Sequence, residues 1–436
     1  MTNRSREQLS FPVCQGRRVE AAFDGGAVTS DAGVLLLRQA DRKLGLLARL
    51  SKRIKDPRDP SRITHSQVSM LRQRVFSIAL GHEDLNDHET LRNDLALQTA
   101  VDRIDPLASA PTLCRLENRA ERETAWAVHE ALIEQFVASH NVPPQELILD
   151  FDPTNDPVHG NQVGKFFHGY YDEYCFLPLY VFCGDQLLVA YLRPASRSAT
   201  YHAGAILKVL VQKLRKAWPG VRIVFRADSA FCTPKLLGWC DRNGLDYIVG
   251  LAKNEVLNKL AGATLAKAAL RFAKTGRKPR LFTGFRYATR NWSRKRRVIA
   301  RIEHDADGSN PRYVVTNLTG KGRALYEQVY CARGEMENRI KEQLQLFFDR
   351  TSCHEWWPNQ FRLLLSSLAY VLMEAIRRLG LQGTELARAQ VSTIRIKLLK
   401  VGAVIVRNTR RVRFLLSSSY PAQALFRLVA TRLAPS

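Results

Sequence analysis

Apolar residues recur with two different periods along this chain. In the first third they follow helical spacing, for example at Leu71, Val75 and Ile78. From Glu146 onward, short apolar runs of strand length alternate with helical segments. We therefore predict a helical N-terminal region over residues 1–145, followed by an α/β domain.

The apolar runs of this second part follow a definite order. They predict strands at residues 147–151, 176–182, 187–192, 221–225 and 246–251, with helices at residues 203–214 and 233–240. The dipeptide Gly184-Asp185 suits a tight hairpin turn between the second and third strands. Strand, hairpin pair, helix, strand, helix, strand is the order of the RNase H-like fold, whose first and fourth strands are neighbours. We therefore predict an α/β fold with an RNase H-like mixed sheet.

A basic segment interrupts this pattern. Between Arg271 and Arg301 there are twelve Lys or Arg residues and no Asp or Glu, with aromatic residues interleaved. Basic side chains for phosphates and flat rings for bases are typical of nucleic-acid binding. The alternative is a solvated basic β-hairpin whose aromatic residues face the core. The predicted segments are a helical DNA-binding region (1–145), the core (146–253), a basic β-rich insertion (254–325), a second part of the core (326–385) and a basic C-terminal segment (386–436).

The charge of the whole chain indicates its partner. The 436 residues include 66 Lys and Arg against 41 Asp and Glu, a formal net charge of +25. Such an excess predicts a polyanionic partner, either nucleic acid or an anionic membrane surface. No apolar run reaches the roughly 18 residues of a membrane span, and the N-terminus lacks the apolar segment of a secretion signal. We therefore expect nucleic acid as the partner, no membrane, and a cytoplasmic location.

Three acidic residues stand in distinctive contexts. Asp152 and Asp228 each follow a predicted strand, in Leu-Asp-Phe-Asp-Pro-Thr and Arg-Ala-Asp-Ser, whereas Glu337 lies in a predicted helix. Neighbouring first and fourth strands would bring the two aspartates together. Asp150 points to the same face of its strand as Asp152, because side chains alternate along a strand. Geometry alone leaves open whether Asp150 is a metal ligand or a carboxylate that orients a basic neighbour.

Three carboxylates brought together repel one another unless cations neutralise them. Mg²⁺ prefers oxygen ligands and leaves open positions for phosphate and water. Two such ions, with Mn²⁺ as a substitute, can activate an attacking hydroxyl and stabilise the leaving oxygen of a phosphodiester. The sequence therefore predicts a two-metal site formed by Asp152, Asp228 and Glu337.

The predicted helix around Glu337 carries further polar residues on one face. Tyr330, Arg333, Glu337 and Lys341 follow one another at spacings of three, four and four. This arrangement places a phenol, a guanidinium and an ammonium beside the third carboxylate, where DNA phosphates would lie. The alternative is a ladder of surface salt bridges, which the phenol fits poorly.

These motifs together resemble those of bacterial DDE-class insertion-sequence transposases, in particular the insertion-sequence 1380 group. The resemblance covers most of the chain. It is carried by Leu80–Asp87, Leu149–Thr154, His159–Gln162, Arg226–Ser229, Arg333–Glu342 and Arg350–Cys353. Such an ordered set is far more specific than three acidic residues alone.

The resemblance implies an RNase H-like catalytic core with a β-rich insertion. Related transposases have their first catalytic Asp in an Asp-x-Thr context, which favours Asp152 over Asp150. They also carry a Tyr-x2-Arg-x3-Glu-x6-Lys signature, which Tyr330, Arg333 and Glu337 fit, whereas the last position is Leu344 and Lys341 is its possible substitute. In such enzymes an aromatic residue of the insertion stacks on a flipped base. Trp292 is the candidate here, with ordinary packing as the alternative, and Arg294, Lys295, Arg296 and Arg297 beside it are predicted to bind DNA.

The expected function is that of a DNA transposase in a bacterial, nucleoid-associated setting. It would cleave at the terminal inverted repeats of an insertion sequence and join the 3′-OH ends to target DNA, as a homodimer in a synaptic complex. The signature's missing lysine leaves open whether cleavage passes through a DNA hairpin. The alternatives are a catalytically inactive DNA-binding protein derived from a transposase and an RNase H-like nuclease.

Overall fold

The computed structural model describes residues 8–434, which divide into two compact units. One unit contains the residues up to 117 and those from 368 onward, and the other is Asn118–Ser367. No helix within the described residues is long and apolar enough to cross a membrane.

The strands, in chain order, are β1 (Leu9–Cys14), β2 (Arg17–Ala21), β3 (Val28–Thr29), β4 (Glu146–Pro153), β5 (Asp156–Pro157), β6 (Phe166–His168), β7 (Glu173–Phe176), β8 (Leu179–Cys183), β9 (Gln186–Tyr191), β10 (Arg222–Ala227), β11 (Asp246–Leu251), β12 (Arg280–Tyr287), β13 (Arg296–Asp305), β14 (Gly308–Thr316), β15 (Ala403–Arg407) and β16 (Val412–Leu416). The helices are α1 (Val34–Leu44), α2 (Leu46–Arg53), α3 (Gln67–Leu80), α4 (His88–Leu91), α5 (Leu95–Ala100), α6 (Ala110–Asn118), α7 (Arg122–Ala138), α8 (Ala203–Ala217), α9 (Pro234–Arg242), α10 (Glu255–Leu260), α11 (Gly262–Thr275), α12 (Gly322–Ala324), α13 (Gly334–Leu344), α14 (Trp356–Ala375), α15 (Val391–Ile394) and α16 (Gln423–Leu433).

The first unit is mainly helical, and its bounds differ from the predicted region 1–145, since α7 belongs to the second unit and the residues from 368 onward belong to the first. Helix α1 packs against α2, α3, α5 and α16, and its apolar side is fully buried. Strands β3, β15 and β16 form a small antiparallel sheet, and β1 and β2 form a separate hairpin. The helical prediction for residues 1–145 did not include β1, β2 or β3, although Leu9, Phe11 and Val13 alternate along β1 as in a strand. Residues 1–7 of that prediction lie outside the described part of the chain.

The second unit is built on an eight-stranded mixed sheet. The strand order is β12-β13-β14-β11-β10-β4-β8-β9, in which β10 is parallel to both β4 and β11 and the remaining neighbours are antiparallel. The predicted first and fourth strands, β4 and β10, are therefore neighbours. Residues 254–325 contribute two helices, then three strands and the short α12, and β14 pairs with β11 so that the three strands extend the same sheet.

One predicted strand is divided in the structure. The apolar run at residues 176–182 was predicted as a single strand, but its first residue belongs to β7 and only residues 179–182 belong to β8. Pro178 lies between the two, and a proline has no N–H to donate to a sheet ladder. Strand β7 instead joins β5 and β6 in a separate three-stranded sheet.

The two faces of β4 have different environments. Leu149 and Phe151 are fully buried in the large apolar cluster that also contains side chains of α7 and α8. Ile148 packs into a smaller cluster on the other face, with side chains of the helical segment that follows α12. Because side chains alternate, Asp150 and Asp152 share the face of Ile148. The sheet therefore presents both carboxylates to the segment that carries Glu337.

Candidate active site

Asp152 and Asp228 lie side by side at the ends of two parallel strands. The register of β4 against β10 pairs Asp150 with Arg226 and ends with Phe151 opposite Ala227, so Asp152 and Asp228 each directly follow the last paired residues. Neighbouring strands are about 4.8 Å apart, which brings both side chains to one edge of the sheet. Asp228 also accepts a hydrogen bond from the Ala230 N–H at 2.9 Å, which fixes the turn after β10.

Asp150 is held by an ion pair inside the protein. The Arg226 guanidinium donates to both carboxylate oxygens, through Nε to Oδ1 and through Nη2 to Oδ2 at 2.6 Å. A third nitrogen of Arg226 donates to the Val329 carbonyl at 2.5 Å. Asp150 and Arg226 are only 3% and 7% exposed. Of the two roles that the sequence left open for Asp150, this geometry matches the carboxylate that orients a basic neighbour.

Glu337 approaches from a helical segment of changing pitch. The backbone is a π-helix over Leu325–Tyr330, a 3₁₀ turn over Cys331–Arg333 and an α-helix from Gly334. On α13, Met336 and Ile340 are buried and anchor the helix, so Glu337 is turned outward with about half of its side chain exposed. Glu337 therefore lies in a helix, as the sequence predicted.

Arg333 links the first and third carboxylates. Its Nη1 donates to Asp152 Oδ2 at 3.0 Å and its Nη2 to Glu337 Oε1 at 3.3 Å. Burial raises the pKa of Asp152 to about 7, Arg333 opposes this rise, and the negative charges of Asp228 and Glu337 add to it. Asp152 is thus buried among other carboxylates, with one arginine as its partner.

Tyr330 forms the wall between this site and strand β11. Burial raises the pKa of its phenol, and its side chain hydrogen-bonds with Arg333. A Cβ atom at Gly250 would lie 2.7 Å from the Tyr330 hydroxyl and 2.7 Å from the Ser229 nitrogen. Only a residue without a side chain therefore allows this close approach. A glycine inside a predicted strand is a known signal of such an approach, which our sequence analysis did not use.

The charge and chemistry of the donors suit a hard divalent cation. All three proposed ligands are carboxylates, and the raised pKa of Asp152 reflects burial and negative charge that a cation would relieve. Within residues 8–434, however, no three acidic, Cys or His side chains are grouped closely enough to hold an ion as they stand. Arg333 bridges two of the three carboxylates, so it would have to release their oxygens.

The predicted DNA contacts near Trp292 require correction. Trp292 is only 8% exposed and packs in the main core, 5.6 Å from the Tyr287 ring and 5.1 Å from the Arg296 guanidinium. Arg296 is 2% exposed and donates to Asp241 at 2.6 Å and to Tyr247 at 3.1 Å. Base stacking by Trp292 and phosphate binding by Arg296 are therefore wrong for this structure, because both side chains are used in packing.

The neighbouring basic residues differ from one another. Arg297 donates to the carbonyls of Leu318 and Gly320 at 2.9 Å and 2.7 Å, so its guanidinium serves the fold. Arg294 is exposed but paired with Asp241, and Lys295 is exposed. The predicted role of Arg297 in DNA binding is therefore also corrected. The run is basic, as the sequence shows, but the groups that accept hydrogen bonds from Arg296 and Arg297 are far away in the sequence.

Lys341 lies one helical turn beyond Glu337 and is exposed to solvent. The structure thus brings Tyr330, Arg333 and Glu337 together with Asp152 and Asp228, while Lys341 remains at the edge. One residue that the sequence analysis did not assign supports the site. Arg226, two positions before Asp228, holds Asp150 through two hydrogen bonds.

The fold and this site together define a mixed α/β protein with acidic residues at adjacent strand ends, typical of metal-dependent nucleic-acid enzymes. Residues 11–436 match the family described as transposase DDE domain, group 1. The chain belongs to this family of DDE transposases. The comparison with curated proteins returned no match.

One solved structure similar to this chain is a cryo-EM structure of a piggyBac transposase synaptic complex with hairpin DNA. The two share 10% sequence identity, and the alignment covers 94% of this chain and 86% of that one, with a TM-score of 0.41. A similarity of this size carries no argument about the site.

Proposed function

We propose that this DDE transposase cleaves DNA at the terminal inverted repeats of an insertion sequence and joins the resulting 3′-OH ends to target DNA. The observation that carries the proposal is the position of Asp152 and Asp228 directly after the last paired residues of β4 and β10, with Glu337 linked to Asp152 through Arg333. The element is proposed to be bacterial and of the insertion-sequence 1380 group.

Asp152, Asp228 and Glu337 are the residues that would hold the metal ions. Bound Mg²⁺ ions, or Mn²⁺ in their place, would polarise the attacking water or 3′-hydroxyl and stabilise the leaving oxygen. Asp150 is the positioning residue, because its pairing with Arg226 fixes the end of β4 against β10. It would not itself be a ligand.

Arg333 and Tyr330 would position the DNA. The Arg333 guanidinium lies between Asp152 and Glu337, so a scissile phosphate held there would be within its reach. A planar guanidinium can donate two parallel hydrogen bonds to phosphate oxygens. Tyr330 lies beside Arg333, and Lys341, one helical turn beyond Glu337, supplies exposed positive charge. Lys295 is a further exposed cation of the same unit and is proposed to contact DNA away from the carboxylates. Lys341 would contact the backbone further from the cut.

The proposed partners are double-stranded DNA, both repeat ends and target, and a second copy of the chain in a synaptic complex on the bacterial nucleoid. The net charge of +25 supports the DNA partner. Binding should therefore weaken steeply as salt is raised, and a flat salt response would contradict phosphate-dominated contact.

A second candidate is a catalytically silent DNA-binding protein derived from a transposase. The observation that favours it is the bridge that Arg333 makes between Asp152 and Glu337, which satisfies both carboxylates without a metal ion. A plain RNase H-like nuclease is the remaining alternative, and it would hydrolyse DNA without joining ends to target DNA.

The test is cleavage of a labelled duplex that carries the element's terminal repeat, with Mg²⁺ or with EDTA. Wild type is expected to cut at the repeat boundary only with Mg²⁺, and Asp228→Ala is expected to lose the cut. Asp307→Ala is the matched control, since Asp307 is an exposed aspartate in the turn after β13. Tight repeat binding by wild type with no metal-dependent product would favour the silent protein, and cleavage without joining would favour the nuclease.

A further inference from the structure

A cavity of about 550 Å³ opens next to the proposed active site. Its lining consists of Ser229, Gly250, Leu251, Ala252, Lys253, Arg301, Asn310, Pro311, Arg312, Tyr313, Tyr326 and Tyr330. Ser229 directly follows Asp228, and Tyr330 bonds Arg333 on its other side. The cavity and the proposed catalytic carboxylates therefore share a wall.

The charge of the cavity is opposite to that of the carboxylate cluster. Three of its lining residues are basic and none is acidic. Lys253 and Arg312 are exposed, and neither forms an ion pair with another residue in the described part of the chain. Arg301 is half-buried, 3.5 Å from Glu303, and its Nε is shielded from solvent without a described acceptor. The cavity thus offers cationic donors to an anion.

Three tyrosines stand at the remaining wall, and only one of them is open to solvent. Tyr313 and Tyr326 are each 3% exposed and belong to the core, whereas Tyr330 is half-buried. The Tyr326 and Tyr330 rings are 5.5 Å apart between centroids and inclined by 55°. The partly exposed ring of Tyr330 beside basic groups suits a sugar or base attached to a phosphate. The volume is also within the roughly 300–1,000 Å³ typical of sites for small ligands.

The wall between the cavity and the carboxylates is tightly built. Gly250 lets the Tyr330 hydroxyl and the Ser229 backbone approach to distances that no Cβ would permit. Arg301 lies over the Tyr326 ring, with its guanidinium carbon 5.4 Å from the centroid. These contacts fix two of the rings and one of the cations before any ligand binds, which lowers the entropy that binding would cost.

We propose that this cavity binds one nucleotide unit of a DNA strand, with its phosphate on Lys253, Arg301 and Arg312 and its sugar and base against the partly exposed ring of Tyr330. The inference rests on the proposed function, because it makes the cavity a subsite of the same DNA-cleaving centre. It deepens that function, because the cavity would bind the part of the DNA strand that continues from the scissile phosphate past Asp228. A free nucleotide has the same chemistry, so the test separates the two sources.

The first arm measures binding of deoxythymidine monophosphate to the full chain by calorimetry, in EDTA, so that no metal is required. Thymidine, which lacks the phosphate, is the ligand control. Lys253→Gln and Arg312→Gln are each expected to weaken binding of the monophosphate about tenfold, the effect of losing one charged hydrogen bond. Lys259→Gln is the matched control, because Lys259 is an exposed lysine six positions from Lys253 that does not line the cavity. It should stay within about twofold of wild type.

The second arm identifies the source of the nucleotide. A DNA duplex with a single-stranded overhang should displace the monophosphate, and Arg312→Gln should weaken binding of this DNA more than Lys259→Gln does. Failure of the DNA to compete would show a site for free nucleotides and would overturn the proposal. Equal binding of thymidine and its monophosphate, or equal loss in Arg312→Gln and Lys259→Gln, would overturn it as well.

A failure of the proposed function gives a different result. Asp228→Ala should retain nucleotide binding while losing cleavage, since Asp228 does not line the cavity. If wild type never cleaves DNA but Arg312→Gln loses both monophosphate and overhang binding, the cavity proposal holds and the catalytic proposal fails. Thermal unfolding of each variant, with a midpoint near that of wild type, confirms that a loss of binding reflects the cavity.

Discussion

Asp156 offers a quantitative test of how the burial of one carboxyl group affects the stability of this protein. It is fully buried, and Thr351 Oγ1 donates to its Oδ2 at 2.7 Å, while its Oδ1 has no hydrogen-bond partner within the described residues. Burial raises its pKa from 3.8 to about 8, with Asp349 and Glu173 adding to the rise. The carboxyl is therefore protonated in the folded protein at neutral pH.

The pKa shift predicts how stability depends on pH. The folded protein binds this proton more tightly than the unfolded chain, so the stabilisation is complete below about pH 4 and is lost as pH rises through about 8. One pKa unit corresponds to about 1.4 kcal/mol. Linkage then gives a fall in the free energy of unfolding of about 3–4 kcal/mol between about pH 5 and about pH 8 from this group alone.

The substitution Asp156→Asn isolates the contribution of this carboxyl to the pH dependence of the free energy of unfolding. Asparagine has the shape of the protonated carboxyl and stays neutral, so the variant should gain on wild type by about 3–4 kcal/mol between about pH 5 and about pH 8. Urea unfolding at both pH values measures the difference. Asp307→Asn, at an exposed position, should follow wild type at both. A difference between Asp156→Asn and wild type that does not change with pH would refute the reasoning.

Three further predictions concern the site itself. Arg226→Met should cost about 3–5 kcal/mol in urea unfolding, because it leaves Asp150 buried without its partner; a cost near zero would contradict the buried pair. Gly250→Ala should cost about 1–3 kcal/mol in the same assay and slow cleavage, because its Cβ would displace Tyr330; unchanged unfolding and cleavage would count against this contact. Asp152→Asn should abolish metal-dependent cleavage with repeat binding retained in a gel-shift assay, whereas lost binding with retained cleavage would reverse the assignment.

Local sequence patterns were sufficient to predict many of the strands and helices of the second unit. Strand β4, which carries Asp152 next to its end, and strand β10, which ends before Asp228, lie where the apolar runs predicted them. Their order along the chain also predicted that they would be neighbours, because few topologies connect such a series of elements. The split at Pro178 could have been predicted as well, from the missing N–H of proline.

The partners of polar side chains could not be predicted in this way. Asp150 and Asp152 are equivalent by position on β4, and it is Arg226, 76 residues away, that takes the first of them into an ion pair. Arg296 and Arg297 belong to a basic run that resembles a DNA-binding surface. Their guanidiniums, however, donate hydrogen bonds to a distant aspartate and to distant carbonyls. Trp292 is likewise covered by residues of the core.

The sequence by itself determined the class of protein and the order of most elements of the second unit, and it predicted the three carboxylates, because each depends on apolar periodicity or on a short motif. Only the tertiary structure decided which carboxylate is neutralised inside the protein, that Arg333 links Asp152 to Glu337, and that a basic cavity lies beyond Tyr330. The physical reason is that hydrogen bonds, ion pairs and cavities depend on distances between residues far apart in the chain. Such distances are fixed only when the sheet and the helices have packed.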